Sequence, residues 1–272
     1  VVVIYKNLGI EQETSFGSSQ AGNASVLQIR SSTLNTNLNK TLVEDTMTSL
    51  KGRDRIVALK NETGGDISAY GSIKVLHHFL RLAMGASGTA TALGTSAQTV
   101  VYNEDVSGNP LSYTMLMDRN NTQEKFSGLR ASKLSLKASD GLMEATLSLM
   151  GINRASGPAI ADIVGETFKP LTWADFTVSI GKPGYTNPVT VQVSEWNIDY
   201  ENGLERTHLS GAKTAARLDP MVRKVSGSFK VFHTGSSWTD ATYGASEFYL
   251  RFAATQDSSA GLIAGVTPVY TL

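Results

Sequence analysis

Apolar and polar residues alternate strictly at the centre of the chain, between residues 112 and 151. From residue 143 to residue 149 every second residue is apolar, and Glu, Thr and Ser lie between them. Because successive side chains of a strand point to opposite faces, this pattern predicts a half-buried strand. Residues 134–138 have the same period, and Asp140-Gly141 lies between the two segments. Asp-Gly favours a tight turn, so the sequence predicts an antiparallel hairpin.

The same alternation recurs on both sides of this hairpin. It predicts strands near residues 67–73, 100–102, 176–180, 189–193, 196–200, 225–232, 248–253 and 266–270. Asn202-Gly203 follows one of these segments and predicts a second hairpin turn. Many short strands separated by turn residues are typical of a mainly β protein, so we expect an antiparallel β-sandwich or barrel.

One segment departs from this period. Between residues 74 and 84, apolar residues recur at helical spacing, and Gly85 follows where a C-cap glycine would lie. We therefore predict a helix near 74–84, flanking the sheets, with at most one other short helix. Residues 86–98 are rich in Gly, Ala, Ser and Thr and predict a flexible loop.

The order of these segments suggests four parts. Residues 1–33 predict an N-terminal arm with a first strand, and 34–151 a first β half-domain that contains the helix. Residues 152–170 form a connector with Gly and Pro, and 171–272 predict a second β half-domain. Gly71-Ser-Ile-Lys-Val and Gly227-Ser-Phe-Lys-Val echo each other, which suggests that the two half-domains are similar.

Composition narrows the functional classes. Lys plus Arg and Asp plus Glu number 24 each, so no net charge attracts the chain to nucleic acid or to an anionic membrane. The chain has no cysteine, which excludes disulfides, thiolate nucleophiles and cysteine zinc sites. No apolar run approaches the ~20 residues of a membrane helix, so we expect no membrane insertion.

Motifs for catalysis or metal binding are missing from the sequence. The four histidines form no His-Glu-x-x-His motif, and His77 and His78 would point about 100° apart on the predicted helix. No Gly-x-Ser-x-Gly elbow and no phosphate-binding Gly-Lys-Ser/Thr loop occurs. We therefore expect no enzymatic activity, no cofactor and no metal.

Three motifs, in order along the chain, resemble one protein family. Glu13-Thr-Ser-Phe-Gly17 is similar to the E-T-x-[FY]-G motif near the start of tail tube proteins from long-tailed bacteriophages. Gly71-Ser-Ile, which runs into the predicted helix, resembles the strand–helix unit of that family. The segment from Tyr113 through Phe126-Ser-Gly128 and Asp140-Gly to Gly151 resembles its core hairpin.

The resemblance implies a self-assembling virion protein. Several copies would close into a ring, their strands completing one inner β-barrel, and rings would stack into a tube. Three copies would suffice if the chain is a duplication, and six otherwise. The partners implied are other copies, the tail-tip, tape-measure and terminator proteins, and double-stranded DNA that passes without sequence-specific binding. Such a protein would be made and assembled in the host cytoplasm and reside in the virion tail.

The resemblance also implies a lumen that is acidic or neutral. A basic lumen would hold the DNA phosphates and slow their passage. Carboxylates on the polar faces of predicted strands are therefore lumen-lining candidates: Asp118, Glu124, Glu144, Asp199 and Glu201.

Other interpretations remain open from the residues alone. Another phage ring protein, a tail terminator or distal tail protein, would have a similar sequence pattern. A carbohydrate-binding or adhesive β-sandwich would need clustered exposed aromatic residues, whereas Trp173, Trp196 and Trp238 are far apart in sequence. An enzyme would need a site assembled from scattered serines, histidines and carboxylates, which no local motif indicates.

Overall fold

A computed structural model describes most of the chain. The described residues are 5–18, 25–45, 53–86, 88–92, 98–105, 108–119, 122–139, 141–157, 170–181, 189–232, 249–255 and 269–271. They form antiparallel sheets and one α-helix, which confirms the predicted mainly β fold.

Nineteen strands account for most of the described residues. They are β1 (Tyr5–Gln12), β2 (Ser25–Leu27), β3 (Ser31–Ser32), β4 (Asn35–Asp45), β5 (Arg53–Tyr70), β6 (Thr89–Ala92), β7 (Gln98–Val101), β8 (Tyr113–Arg119), β9 (Thr122–Ala138), β10 (Glu144–Gly151), β11 (Asn153–Ser156), β12 (Phe176–Gly181), β13 (Val189–Val191), β14 (Val193–Glu201), β15 (Glu205–Thr207), β16 (Arg217–Asp219), β17 (Lys224–Val231), β18 (Tyr249–Thr255) and β19 (Val269–Thr271). The helix α1 spans Ile73–Met84, and a 3₁₀ turn spans Trp173–Asp175.

The long strand β9 joins two parts of an 11-stranded sheet. Its first part pairs with β8 and β11, and β8 continues through β1 to β2. Its second part pairs with β10 on one side and β14 on the other. The strand changes partners around Gly128, so this position connects the two parts of the sheet.

The second part is a six-stranded sheet with the order β17-β14-β9-β10-β5-β4, and β3 also pairs with β5. Every pair is antiparallel. The remaining strands form a four-stranded sheet, β13-β12-β18-β19, and two ribbons, β15-β16 and β6-β7.

The predicted central hairpin is present as β9 and β10, with Leu134 opposite Leu147. The predicted tight turn is wrong, because five residues, 139–143, connect the strands and Gly141 does not have positive φ. Backbone hydrogen bonds explain the longer loop: Met143 N–H donates to Leu171 O at 2.8 Å, and Trp173 N–H donates to Gly141 O at 2.9 Å. Asp140 lies outside the described residues.

The helix α1 confirms the predicted change of period. Ser72 caps its N-terminus, and Gly85 ends it in the left-handed conformation with φ of 73°, its N–H donating to Arg81 O. The apolar face is buried in the main core together with residues of β1, β5, β8, β9, β10 and β14, and includes Val75, Leu76, Phe79, Leu82 and Ala83.

The hairpin predicted at Asn202-Gly203 is wrong. After this pair, β15 turns away and pairs with β16, while β14 is paired with β9 and β17. The Asn202 amide explains the difference, because it donates to Ala83 O at 2.8 Å and to Ala131 O at 2.9 Å. Asn202 therefore ties the chain to the end of α1 and to β9, so it does not reverse the strand.

The loop predicted over residues 86–98 is also partly wrong. Its described residues include β6 and the first residue of β7, which form a two-stranded ribbon. Residues 93–97 lie outside the described part of the chain.

The predicted parts of the chain share one sheet. The N-terminal segment supplies β1, whose Leu8 and Ile10 are buried, together with β2 and β3. From the segment 171–272, β14 and β17 extend the sheet of the segment 34–151. The two copies of the sequence echo take different structures: 71–75 leads into α1, whereas 227–231 belongs to β17. Within the predicted connector, β11 pairs with β9.

Candidate assembly surfaces

The six-stranded sheet has one apolar and one polar face. Buried side chains such as Ile67, Leu134 and Leu147 face the core. The alternate positions form what we call the polar face, which includes Ser68, Tyr70, Lys133, Ser135, Lys137, Glu144, Thr146, Ser148, Asn197, Asp199, Glu201, Lys224, Ser226 and Ser228. Three of the five sequence-predicted lumen residues, Glu144, Asp199 and Glu201, therefore lie on one surface.

Lys133 on β9 forms ion pairs with two of these carboxylates on the neighbouring strand β14. Its Nζ lies 3.2 Å from Asp199 Oδ2 and 3.1 Å from Glu201 Oε1. The Ser135 hydroxyl donates to Asp199 Oδ1 at 2.6 Å and, together with Lys133, lowers the pKa of Asp199. The hydrogen bonds to Glu201 and Asp199 raise the pKa of Lys133. Lys133 and Asp199 are therefore both charged near neutral pH.

Glu144 on β10 forms an ion pair with a different basic residue, Arg30. The Arg30 guanidinium pairs with Glu144 and lies over the Tyr70 ring, with Cζ 5.5 Å from the ring centroid. Both side chains of the ion pair are about half exposed, so the pair contributes little to stability. Its consequence is local neutralisation of the carboxylate.

The charges of the polar face balance in the part of the chain that the structure describes. Acidic residues are matched in number by basic ones: Glu62, Asp66, Glu144, Glu195, Asp199 and Glu201 against Arg30, Lys60, Lys133, Lys137, Lys224 and Lys230. Opposite charges alternate from strand to strand, so the face is highly polar but has no net charge.

Asp118 and Glu124 lie elsewhere. They belong to the β8–β9 pairing, in the first part of the sheet. Glu124 is buried and pairs with Arg154 on β11, while Asp118 lies opposite Gln123. The five candidates therefore form two separate groups, because β9 changes partners between Glu124 and Lys133.

Glu13 is buried at the point where β9 changes partners. Its Oε1 accepts hydrogen bonds from the Thr114 hydroxyl at 2.9 Å and Gly128 N–H at 2.7 Å. Its Oε2 accepts from the Ser112 hydroxyl at 2.7 Å and Gly17 N–H at 2.8 Å. One carboxylate thus joins the end of β1 to β8 and β9, and we call this arrangement the Glu13 clamp.

Both glycines of the Glu13 clamp have positive φ, 77° at Gly17 and 64° at Gly128. A Cβ at either position would also collide with the Ile152 side chain, at 2.6 Å and 2.4 Å respectively. The first and third sequence motifs therefore meet at one structural site. Their spacing in the sequence gave no indication of this contact.

Arg130, also buried, lies two residues beyond Gly128 and was not predicted. Its guanidinium carbon lies 4.4 Å from the Phe16 ring centroid, and its Nη atoms donate to Leu218 O and to Asn109 Oδ1. Burial lowers the pKa of Arg130. Phe16 is the aromatic residue of the motif Glu13-Thr-Ser-Phe-Gly17. Its contact with the Arg130 guanidinium gives this aromatic residue a structural role.

The outer strands of the six-stranded sheet are exposed. Among the described residues, β4 pairs only with β5 and β17 only with β14. The ribbon of β4 and β5 exposes Leu38 (49%), Ile56 (71%), Val57 (42%) and Leu59 (53%), and β17 exposes Val225 (63%). Exposed apolar strands at a sheet edge are typical of surfaces that pair with another chain.

An apolar cleft lies beside β17, between α1 and the core-facing side of β14 and β17. Its volume is about 620 Å³. Its apolar lining includes Leu80, Met84, Leu134, Leu136, Ile198, Val225 and Phe229. The cleft adjoins one of the two exposed edges, so both features belong to the same surface.

His77 and His78 lie next to each other on α1, and both are partly buried. Nδ1 of His77 contacts the Tyr102 hydroxyl, and burial lowers the pKa of His78 to about 4. No group of three or more His, Cys, Asp or Glu within the described ranges could hold a metal ion. In the same ranges, no helix has the length and apolar character needed to cross a membrane.

Comparison with families of known proteins finds a match over nearly the whole chain. The sequence model of a family described as phage tail tube protein matches residues 6–270, nearly the whole chain. No curated protein matches the chain.

Proposed function

The chain belongs to the phage tail tube protein family, and from this membership we propose that its copies form stacked rings whose bore conducts double-stranded DNA. Its role is structural, within the tail tube of a virion. The proposal includes contacts with tail-tip, tape-measure and terminator proteins, assembly in the host cytoplasm, and no enzymatic activity.

The polar face of the six-stranded sheet carries this proposal. Its opposite face is buried under α1 and the core, so the polar face is the side that water contacts. In a closed ring the polar face would line the bore, which places Glu144, Asp199 and Glu201 there. Asp118 and Glu124 lie on the other part of the sheet, so the proposal excludes them from this lining.

The charge balance of this face suits a DNA conduit. Each lysine or arginine that binds a phosphate releases counterions and strengthens binding, so a basic bore would retain DNA. Here Lys133 and Arg30 already pair with carboxylates of the same face. The lining would therefore be hydrated and polar, without strong attraction to the DNA backbone.

Electron microscopy of the purified protein at rising concentration tests assembly. Stacked rings or tubes with an open bore support the proposal. Single rings that never stack would indicate a terminator or distal tail protein. Monomers that bind a glycan would indicate an adhesive module.

Cysteine labelling tests which face lines the bore, and the absence of native cysteine makes each label unambiguous. Lys137→Cys places a thiol on the polar face, and Ala212→Cys places one on an exposed loop as a control. A large polymer-linked maleimide should label Lys137→Cys in monomers but not inside tubes, whereas a small maleimide labels both. Equal labelling of Lys137→Cys by the large reagent in tubes and monomers would exclude this face from the bore.

A further inference from the structure

The six-stranded sheet divides into two branches where β10 ends. Gly151, the last residue of β10, lies opposite Thr63 on β5. From this point β11 continues along β9, whereas residues 53–62 of β5 pair only with β4 among the described residues. A groove of about 460 Å³ lies between these two branches. The ribbon of β4 and β5 therefore leaves the sheet as a separate branch.

Two adjacent glycines of β5 lie where the ribbon leaves the sheet. A Cβ at Gly64 would lie 2.8 Å from Leu149 O, and Gly65 has a φ of 148°. Glycine in the interior of a strand weakens the strand, so we call this pair the glycine hinge. Residues 53–63 extend for about 33 Å at the rise of a strand, so a swing of about 10° at the hinge moves their far end by about 6 Å.

A hairpin from the C-terminal half of the chain contacts the ribbon just beyond the glycine hinge. We call this hairpin, which comprises β15, β16 and the loop between them, the strap. Asn61 N–H donates to Lys213 O at 2.8 Å, and the Arg206 guanidinium donates to Thr63 O at 2.5 Å. Nε2 of His208 lies 3.4 Å from Asn61 O. All three contacts lie on the ribbon side of the hinge.

The strap is anchored to the other branch as well. Leu218 is completely buried, and its carbonyl accepts a hydrogen bond from the Arg130 guanidinium at 2.5 Å. Just before the strap, the Asn202 amide donates to the end of α1 and to β9. Arg130, Met150 and Gly64 lie in one row across β9, β10 and β5. The strap therefore spans from β9 to β5 where the two branches separate.

Arg206 places a charged group directly against the glycine hinge. Its Nη2 lies 3.8 Å from the position that a Cβ at Gly64 would occupy. Burial lowers the pKa of Arg206, and the carboxylate of Glu62 on the ribbon opposes this shift. Partial burial of a guanidinium is unfavourable unless its hydrogen bonds and charge are used. Here both are directed at the ribbon.

We infer that Arg206 and the strap fix the angle at which the ribbon leaves the sheet. The inference rests on the proposed assembly of copies, since a ribbon that is already oriented enters association without being ordered first. A segment that is mobile in the free protein must lose that freedom on association, which weakens binding. Arg206 is thus a positioning residue that acts through the ribbon.

Distances between two spin labels test this role in the monomer. Ile56→Cys on the ribbon and Lys137→Cys on the sheet supply two exposed label sites, and the absence of native cysteine makes the labelling specific. Pulsed electron paramagnetic resonance should give a narrow distance distribution with Arg206 present. Arg206→Gln should broaden it by several ångströms, because the ribbon then swings at the glycine hinge. An equally narrow distribution in a folded Arg206→Gln monomer would overturn the inference.

Arg217→Gln is the matched control on the same strap. The Arg217 side chain is 70% exposed, and its Nη2 lies 2.9 Å from Asp219 Oδ1 on the same strand. This variant loses the same charge without losing a contact to the ribbon, so the distribution should stay narrow. Equal broadening in both variants would contradict the inference. If Arg206→Gln does not fold, Arg206→Lys keeps the charge without the guanidinium and should broaden the distribution as well.

Assembly measures the consequence for association. The protein concentration needed for half-assembly should rise about three- to tenfold for Arg206→Gln and stay unchanged for Arg217→Gln. A broadened label distribution with unchanged assembly would overturn the orienting role while the tube function stands. Wild-type protein that never assembles would overturn the tube function and the orienting role together, and the label distances would still decide whether the strap fixes the ribbon.

A disulfide between ribbon and strap should rescue Arg206→Gln. The hydrogen bond between Asn61 and Lys213 joins backbone atoms, so Asn61→Cys and Lys213→Cys retain it and place two thiols side by side. Oxidation, checked by the loss of free thiols, should return the half-assembly concentration close to the wild-type value, and reduction should reverse the rescue. A disulfide that forms without improving assembly would contradict the inference.

Discussion

The interior around α1 and the outer strands of the six-stranded sheet follow opposite rules of burial. Phe79, Leu134 and Leu147 are almost completely buried, and their polar neighbours are paired across strands. On the ribbon of β4 and β5, by contrast, apolar residues such as Leu38 and Ile56 are 49% and 71% exposed. Alternating apolar residues therefore fill the core in the interior, whereas on the ribbon they remain exposed to solvent.

This difference separates folding from assembly. The interior side chains are buried against one another within one copy, so they stabilise the monomer. A two-stranded ribbon without a supporting layer is marginal in water, and its exposed apolar residues gain burial only from another surface. Substitutions in the interior should therefore lower stability, whereas substitutions on the ribbon should leave the monomer stable and alter association.

The largest effect is expected from Phe79→Ala. Phe79 is completely buried, so its truncation should lower the free energy of unfolding by about 3–5 kcal/mol. Leu59→Ala on the ribbon should change it by less than about 0.5 kcal/mol. Urea denaturation of the two monomers measures both values, and Phe79→Leu provides a milder variant if Phe79→Ala does not fold. Equal losses would place the ribbon within the monomer core.

The next effect concerns pH. Burial lowers the pKa of His78 to about 4 in the folded protein, against about 6.5 when unfolded. As the pH falls below 6.5 the unfolded chain takes up this proton first, so stability is lost, by about 3 kcal/mol at pH 4. His78→Gln should remove this part of the pH dependence. Urea denaturation at pH 7 and pH 4.5 compares the variant with the wild type, and an unchanged difference between the two pH values would contradict the prediction.

A smaller loss is expected at the Glu13 clamp. Glu13→Gln replaces one acceptor oxygen by an amide nitrogen, so a buried backbone N–H of Gly17 or Gly128 loses its partner. The free energy of unfolding should fall by about 2 kcal/mol. Glu11→Gln on β1, at a less buried position, should have a clearly smaller effect in the same denaturation experiment. If the free energy of unfolding falls equally in both variants, the hydrogen bonds of the Glu13 clamp have no special importance for stability.

The smallest effect is expected on the polar face. Lys133→Gln removes the ion pairs with Asp199 and Glu201, but the lysine is about one-third exposed and surface pairs contribute little. The loss should be at most about 1 kcal/mol in dilute buffer and should shrink in 1 M salt, where the Debye length is about 3 Å. A loss of several kcal/mol, insensitive to salt, would assign this face a folding role.

Residue pairs typical of tight turns predicted the structure less well than the spacing of apolar residues did. The alternation around residue 147 and the helical spacing up to Ala83 were confirmed, because side-chain period and secondary structure are directly linked. Asp140-Gly141 and Asn202-Gly203 have the residues of tight turns. Their backbones and the Asn202 amide instead bind distant segments, and such contacts override a local preference.

The sequence alone determined the β class, the helix with its glycine cap, and the family resemblance, because period and motif order are properties of the linear chain. The tertiary structure alone decided which carboxylates share a face, since β9 changes partners between Glu124 and Lys133. It also decided that Glu13, Gly17 and Gly128 meet at one carboxylate. Strand register and partner choice depend on contacts far apart in sequence, and no local pattern contains them.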